Sequence, residues 1–473
     1  MRTISIAAGV SLFGGIPAVA AGPAQLPALV LFDTATGVAA TYSTAGRIDL
    51  QSPFFTKFGT NGRSCGSCHD PATGWTVTPA SLGARFDATG GADPIFRTND
   101  GSVSPTADVS TLPARRLAYR MLLTKGLIRV GLPIPANAEF TLVAVDDPYG
   151  HAGASDLSLF RRPLPTANLR FLSTVMWDGR ETFLDPGSTD CILGTSNCFA
   201  PIHFDLADQA NGATLGHAQA AQPLTDDQRQ AIVAFESSLY TAQVFDDAAG
   251  NLTARDARGG PVALSSFPFH FGINDALSGD YLTGAAFDPN VFTLYGAWDV
   301  VGHQAPDAGD DQDRGAARAA VARGEKLFNT KPITIVGVKG LNDALGLPAI
   351  QGTCTTCHDA PNAGDHSVPA PLDIGIADAS RRTPDLPLYT MQNRQTLETV
   401  QTTDPGRALV TGKWRDIGRF KGPILRGLAA RPPYFHNGSA PDLGAVVDFY
   451  NRRFGVGFTP QEEDDLVAFL RAL

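Results

Sequence analysis

Two pentapeptides constrain this chain more than anything else in it: Cys65-Gly66-Ser67-Cys68-His69 and Cys354-Thr355-Thr356-Cys357-His358. Two thiols three residues apart sit on one helical turn and can add to the two vinyl groups of a porphyrin. The histidine that follows then presents its imidazole to the iron. A structural zinc site would need two further Cys or His ligands at close spacing, and neither motif has them. A thioredoxin-like redox pair needs a βαβ setting, which neither motif shows. The spacing therefore predicts two covalently bound haem c groups. Cys65, Cys68, Cys354 and Cys357 are the attachment points, and His69 and His358 the proximal iron ligands.

The start of the chain agrees with that chemistry, because c-type haem is attached outside the cytoplasm. Arg2, the apolar stretch Ile4 to Val19 and the small residues Ala18-Val19-Ala20 read as a secretory signal peptide over residues 1–20, cleaved near Ala20. A membrane anchor is the competing reading. Against it, Gly14, Gly15 and Pro17 interrupt a stretch already short for a span. No other segment approaches a transmembrane length, so the expectation is a periplasmic protein with no membrane span after signal removal. At 473 residues and 43% hydrophobic, the chain can build two or three cored domains. Its net charge of −10 and lack of Lys/Arg runs argue against a nucleic-acid partner. Cys191 and Cys198 have no adjacent histidine; in an oxidising compartment they read as a disulfide closing a short loop, with free thiols or a redox switch as alternatives.

The chain also repeats itself. Pro53-Phe54-Phe55 precedes the first motif and Gly324-Glu325-Lys326-Leu327-Phe328 the second. Downstream lie the turns Trp177-Asp178-Gly179-Arg180 and His436-Asn437-Gly438-Ser439. Each half closes with an amphipathic helix behind a Thr cap and an acidic first turn, from Thr225 to Leu239 and from Thr459 to Leu470. The expected fold class is mainly α: two tandem cytochrome c-like helical domains with long loop-rich insertions. The expected limits are 21–240 for the first domain, with an insertion over 75–165 that includes Asp93 to Gly101. An irregular connection covers 241–314 and the second domain 315–473. Leu127 to Val130 and Phe140 to Val145 alternate enough to predict a small hairpin. The long loops either cover a site or are decoration.

Tandem c-haem domains, Trp177-Asp178-Gly179-Arg180, and Pro433-Tyr434-Phe435-His436-Asn437-Gly438 together resemble the bacterial di-haem cytochrome c peroxidase/MauG family. The resemblance covers roughly residues 48–74, 160–240 and 315–473, and neither the insertion nor the middle stretch. It implies a peroxidatic first haem with an openable distal side and a six-coordinate second haem that relays electrons. It places Trp177 between the haems, where an indole either carries an electron hole or simply packs. His436 falls on the family's Phe-His-x-Gly turn. Fourteen residues beyond that histidine the peroxidases carry a methionine ligand and MauG a tyrosine; here the position holds Tyr450. Tyr450 is thus an implied iron ligand of the second haem, the alternative being a buried tyrosine with a hydrogen-bonded hydroxyl and Met391 as outside candidate. A tyrosinate favours ferric iron.

On the distal side of the first haem the resemblance implies Gln, Pro and a catalytic Glu. Gln209 matches the first, Ala213 stands at the second and Gln219 at the third. Glutamine takes up no proton at neutral pH. His217, two residues earlier, can; it replaces the carboxylate as acid–base, ligates the iron, or does neither. The resemblance also implies calcium between the haems, but the matching positions fall on Arg162 and Arg431. Two arginines do not ligate a cation, so they take its place or bind haem propionates.

Three functions follow. The first is a peroxidase that reduces hydrogen peroxide with electrons from a small donor protein, a cytochrome c or cupredoxin. The second is a MauG-like enzyme that oxidises a residue on a protein substrate, a reading Tyr450 favours. The third, from a different class, is a non-catalytic di-haem electron carrier. The resemblance adds a homodimer as the common oligomeric state.

Overall fold

The computed structural model describes residues 24–182, 202–299 and 314–473. The expected signal peptide over 1–20 and the Cys191/Cys198 pair lie outside the described residues.

The two closing helices form as their sequences predict. Asp226–Ser237 starts at a capping box in which Thr225 and Gln228 satisfy each other's backbone N–H, and it buries Ile232, Val233 and Phe235. Pro460–Arg471 starts at the same device, Thr459 with Glu462, and buries Leu466, Phe469 and Leu470. The repeat extends into packing. Phe54 lies against Phe235 at 5.1 Å and His69 at 6.3 Å. In the other half Phe328 lies against Phe469 at 5.7 Å and His358 at 5.9 Å. Each half thus wedges one phenylalanine between its closing helix and its proximal histidine. Phe469 comes close to Gly315–Thr330 because residue 324 has no side chain: a Cβ there would stand 2.0 Å from the carbonyl oxygen of Asp465.

The architecture is mixed α/β, which corrects the mainly α expectation. Residues 24–49, upstream of the first motif, form a hairpin of Gln25–Thr34 and Gly37–Asp49. Leu239–Asp246 and Gly250–Asn251 extend it to a four-stranded antiparallel sheet. The signal was an apolar run, Leu29 to Phe32, returning through Ala35-Thr36 into β-branched and small residues.

A second correction concerns the predicted hairpin. Its strands exist but do not pair with each other. Ile128–Leu132 pairs with Leu157–Arg161, and Phe140–Asp146 pairs with Leu388–Asn393 from the other half of the chain. Alternation shows that a strand has one buried face and says nothing about which strand covers its edge. Here burial decides: Phe140, Leu157, Leu159, Tyr389 and Met391 close into one core, each at 0% exposure. The halves interlock in the main core as well, where Phe171 and Tyr240 share a cluster with Phe292, Phe328 and Phe469.

Gly324→Ala is expected to destabilise the holoprotein by about 1–3 kcal/mol through overpacking, read as a lower midpoint in chemical denaturation with both haems attached.

Candidate functional site

Both Cys-x-x-Cys-His stretches adopt the same single tight turn. His69 N–H donates to Cys65 O at 3.0 Å, and His358 N–H to Cys354 O at 3.2 Å. Each turn is tied at its start by a hydroxyl: Ser64 N–H to Ser67 Oγ and Thr353 N–H to Thr356 Oγ1, both 3.0 Å. The histidines then turn inward. His69 Nδ1 lies 3.0 Å from Trp75 O and His358 Nδ1 2.6 Å from Gly364 O. A carbonyl only accepts, so Nδ1 carries the proton in both rings and Nε2 keeps its lone pair. Burial pushes His69 down to about 4 and His358 below its ordinary value, so both are neutral imidazoles.

Burial also raises the four thiols, Cys65, Cys354 and Cys357 to about 12 and Cys68 to about 11. Such sites disfavour a thiolate, the form that a nucleophile or zinc ligand needs. A thioether carries no charge to desolvate. The cysteines open onto two cavities, the first lined by Cys65, Cys68 and His69 and the second by Cys354, Cys357 and His358. Mostly apolar cavities with inward neutral histidines and uncharged thiols fit haem c.

One wall serves both cavities and includes Arg162, Pro163, Trp177, Lys421 and Arg431. It is set by two consecutive residues. Arg161 donates from Nη1 to Asp178 Oδ2 at 2.5 Å, and from Nε and Nη2 to the two oxygens of Asp404 at 2.7 and 2.9 Å. All three are buried, and although burial alone would raise it, Arg161 and Arg180 hold Asp178 down at about 2. Arg162 then accepts from Trp177 Nε1 at its carbonyl, 2.8 Å, and donates its N–H to His436 O, 2.7 Å. The Trp177 and His436 turns are therefore fastened to adjacent residues.

The carbonyls beside this wall are already occupied. The Arg162 guanidinium donates to Lys125 O at 2.9 Å, Val77 O at 2.8 Å and Arg431 O at 3.3 Å. Calcium does not fit here, because a monovalent cation of the chain itself sits where carbonyl oxygens converge. Burial, with Arg431 beside it, pushes Arg162 down to about 9, and burial pushes Arg431 down to about 10. Arg431 Nε has no hydrogen-bond partner. Cations held this way favour an anion, which haem propionates would supply.

In the first cavity Gln209 and His217 share the lining. Gln219 does not belong to it: the residue is exposed, with φ of 56°, and its backbone oxygen accepts from Thr60. The helix Ile202–Gly216 ends before it. His217 has a partner that sequence reasoning missed. Its Nδ1 lies 2.5 Å from Asp100 Oδ2, and Asp100 Oδ1 lies 2.5 Å from Arg63 Nη1. Burial would raise Asp100, but His217 and Arg63 hold it below the usual carboxylate range. Arg63 is itself gripped by Pro94 O and Ile95 O, at 2.8 and 2.6 Å. The insertion therefore covers this cavity rather than decorating the surface. A charged residue two places before the motif and an Asp-Gly turn in the insertion were the available signals.

Glu236, on the closing helix, also lines the first cavity and was missed. It is 3% exposed, its Oε1 has no partner, and burial pushes it up to about 8.

In the second cavity Tyr450 and His436 share the lining with His358. Burial, then the nearby Cys357 and Cys354, raise the Tyr450 phenol. Its ring packs on Phe449 at 5.1 Å and stacks with Phe454 at 6.3 Å. No described residue hydrogen-bonds its hydroxyl. His436 stacks on Phe420 at 4.1 Å and meets Trp177 edge-on at 6.2 Å, with Nε2 unpartnered. Met391 is removed as a ligand candidate: it lies fully buried in the Phe140–Tyr389 core and lines neither cavity.

Two predictions follow from the buried charges. Asp404→Ala leaves Arg161 with one carboxylate and is expected to cost about 3–5 kcal/mol of stability in a denaturant titration. Glu236 is favoured in its neutral form by folding, so its contribution is fully present below about pH 4.5 and lost as pH rises through about 8. Glu236→Gln is expected to flatten that decline, by on the order of 5 kcal/mol at the alkaline end, in unfolding curves across the range.

No family model matches the chain. It is distantly homologous to bacterial cytochrome c peroxidases. It is 30% identical over 181 residues to cytochrome-c peroxidase IdrP1 of Pseudomonas sp. (strain SCT), covering 34% of this chain and 41% of that protein. It is 41% identical over 75 residues to cytochrome c peroxidase Ccp of Escherichia coli (strain K12), 16% of each chain. The matches thus span less than half the length of these relatives. A solved structure described as a MauG-like protein associated with microbial copper homeostasis aligns over 89% of this chain and 85% of its own at 16% identity, with a TM-score of 0.37, too low to bear on the site. No helix among the described residues is long and apolar enough to cross a membrane.

Proposed function

We propose that this chain is an exported, periplasmic di-haem c-type oxidoreductase that reduces hydrogen peroxide at its first cavity with electrons entering through the second. The observation that carries the reading is the line Arg63–Asp100–His217 at the wall of the first cavity. Haem c, when bound, supplies the redox iron at each site and the peroxide-reactive centre at the first. Cys65, Cys68, Cys354 and Cys357 would hold the two groups, with Nε2 of His69 and His358 facing iron.

The remaining work belongs to side chains. His217 commits Nδ1 to Asp100, leaving Nε2 as the nitrogen that takes the proton from one peroxide oxygen and returns it to the other. Asp100, kept ionised by Arg63, stabilises the imidazolium formed between those transfers. Gln209 offers an amide to orient the peroxide. Two electrons and two protons convert peroxide to two waters; the electrons come from a small cytochrome c or cupredoxin. Trp177, with its N–H anchored on Arg162 O, lies on the wall those electrons cross.

His217→Ala is expected to lower peroxide-dependent oxidation of a reduced donor protein by about 10²–10⁴-fold with both haems retained. Unchanged turnover with an unchanged ferric spectrum would remove His217 from both the proton-transfer and iron-ligand roles.

A MauG-like reading, oxidation of a residue on a protein substrate, is favoured by Tyr450, whose hydroxyl has no partner among the described residues. Tyr450→Phe is expected to shift the ferric spectrum of the second haem. Slow turnover with a long-lived oxidised state, in place of rapid donor oxidation, would select this reading over the peroxidase.

A further inference from the structure

A second polar centre borders the second cavity, whose lining includes His366. Asp275, Asp359 and His366 are 1%, 0% and 5% exposed, and one ligand atom from each lies within 4.8 Å of the other two. Asp275 comes from the middle stretch that the family resemblance does not cover, whereas Asp359 and His366 flank the loop after the second haem motif.

We propose that these three residues bind one divalent first-row transition ion. Three observations carry this. The first is unspent donor capacity. Asp275 Oδ1 and His366 Nδ1 are buried with no hydrogen-bond partner. His366 Nδ1 stands 3.2 Å from Asp359 Oδ2, but their direction makes no hydrogen bond. Orphaned polar atoms at this depth are costly unless something completes them.

The second is charge. Among the described residues no lysine or arginine makes an ion pair with Asp275 or Asp359. With the buried Asp365 facing Lys421, a proton on His366 offsets one of the carboxylates Asp275 and Asp359 and leaves one negative charge over. A divalent ion with a neutral imidazole offsets both.

The third is that the surrounding backbone already holds the donors in place. Asp275 Oδ2 accepts from Ser278 N–H at 2.8 Å and from the Ser278 hydroxyl, within a loop closed by Gly279 N–H to Asp275 O at 2.8 Å. Asp359 Oδ1 accepts from Ser367 N–H at 2.6 Å, and Oδ2 from Ala276 N–H at 3.2 Å. The His366 carbonyl accepts from Ser173 Oγ at 2.5 Å. These donors, within 4.8 Å of one another, would have to draw in to hold one ion at bond lengths of about 2.0–2.2 Å. Two carboxylates and an imidazole suit zinc, manganese or iron(II), whereas calcium calls for six to eight oxygens.

The consequence reaches the second haem pocket. Gly364, whose carbonyl orients His358, lies between Asp359 and His366 in sequence. An ion there pins both ends of the loop that aims the proximal histidine.

The test uses the di-haem holoprotein, stripped with a chelator and titrated with zinc in equilibrium dialysis followed by elemental analysis. One zinc per chain is expected in the unaltered protein, together with a higher Tm. Asp275→Asn and His366→Gln are each expected to lose that stoichiometric zinc and the Tm gain. Haem content and circular dichroism identify variants that remain folded. As a check independent of substitution, manganese(II) added to the unaltered protein should lose its free-ion paramagnetic resonance signal up to one equivalent. Absence of both zinc and manganese binding in the unaltered holoprotein overturns the proposal, as does equal zinc binding by folded variants. None of these readings depends on peroxide turnover.

Discussion

The arrangement rests on a buried arginine shared by two carboxylates. Arg161 leaves the strand Leu157–Arg161 and joins Asp178, in the Trp177 turn, to Asp404, in the other half of the chain. An ion group this deep repays its desolvation only with good geometry and full hydrogen bonding. The forked guanidinium provides that, with three short bonds to its two partners. Because Arg162 follows directly, its carbonyl and N–H are positioned to hold Trp177 and His436. The wall between the cavities is therefore a consequence of one charge being satisfied from both sides.

The two cavities are alike on the side that carries the cysteines and unlike on the other. In both, a tight turn presents the cysteines, a carbonyl fixes the histidine tautomer, and a phenylalanine wedges against the ring. The difference comes from what each half adds. The insertion brings Asp100 and Arg63's backbone clamp to His217 in the first cavity. In the second, the helix Leu443–Phe454 brings Tyr450 into an aromatic cluster with no proton-transfer partner. Such an asymmetry suits the proposed assignment of peroxide chemistry to the first cavity, where His217 has a carboxylate partner.

Local chemistry was legible without a structure. The haem turns, the capped closing helices and the phenylalanine before each motif are encoded by neighbours within a few residues, so spacing and composition reveal them. The partner of His217 was not legible, since Asp100 precedes it by 117 positions and meets it only through the fold. The strand pairing of Phe140–Asp146 with Leu388–Asn393 escaped for the same reason. Gln219 lies past the end of Ile202–Gly216 and outside the first cavity's lining, a placement that spacing along the chain does not reveal.

Residues close in sequence thus determined the two Cys-x-x-Cys-His turns and the inward histidine of each, because the attachment chemistry they fit needs only a fixed local spacing. Tertiary structure decided what lines the cavities that those turns open onto. It placed an arginine where carbonyls converge between the cavities, a carboxylate behind His217, and Asp275 beside Asp359 and His366. Each of these depends on burial, which makes an unmatched charge or polar atom expensive, and burial is a property of the folded chain as a whole.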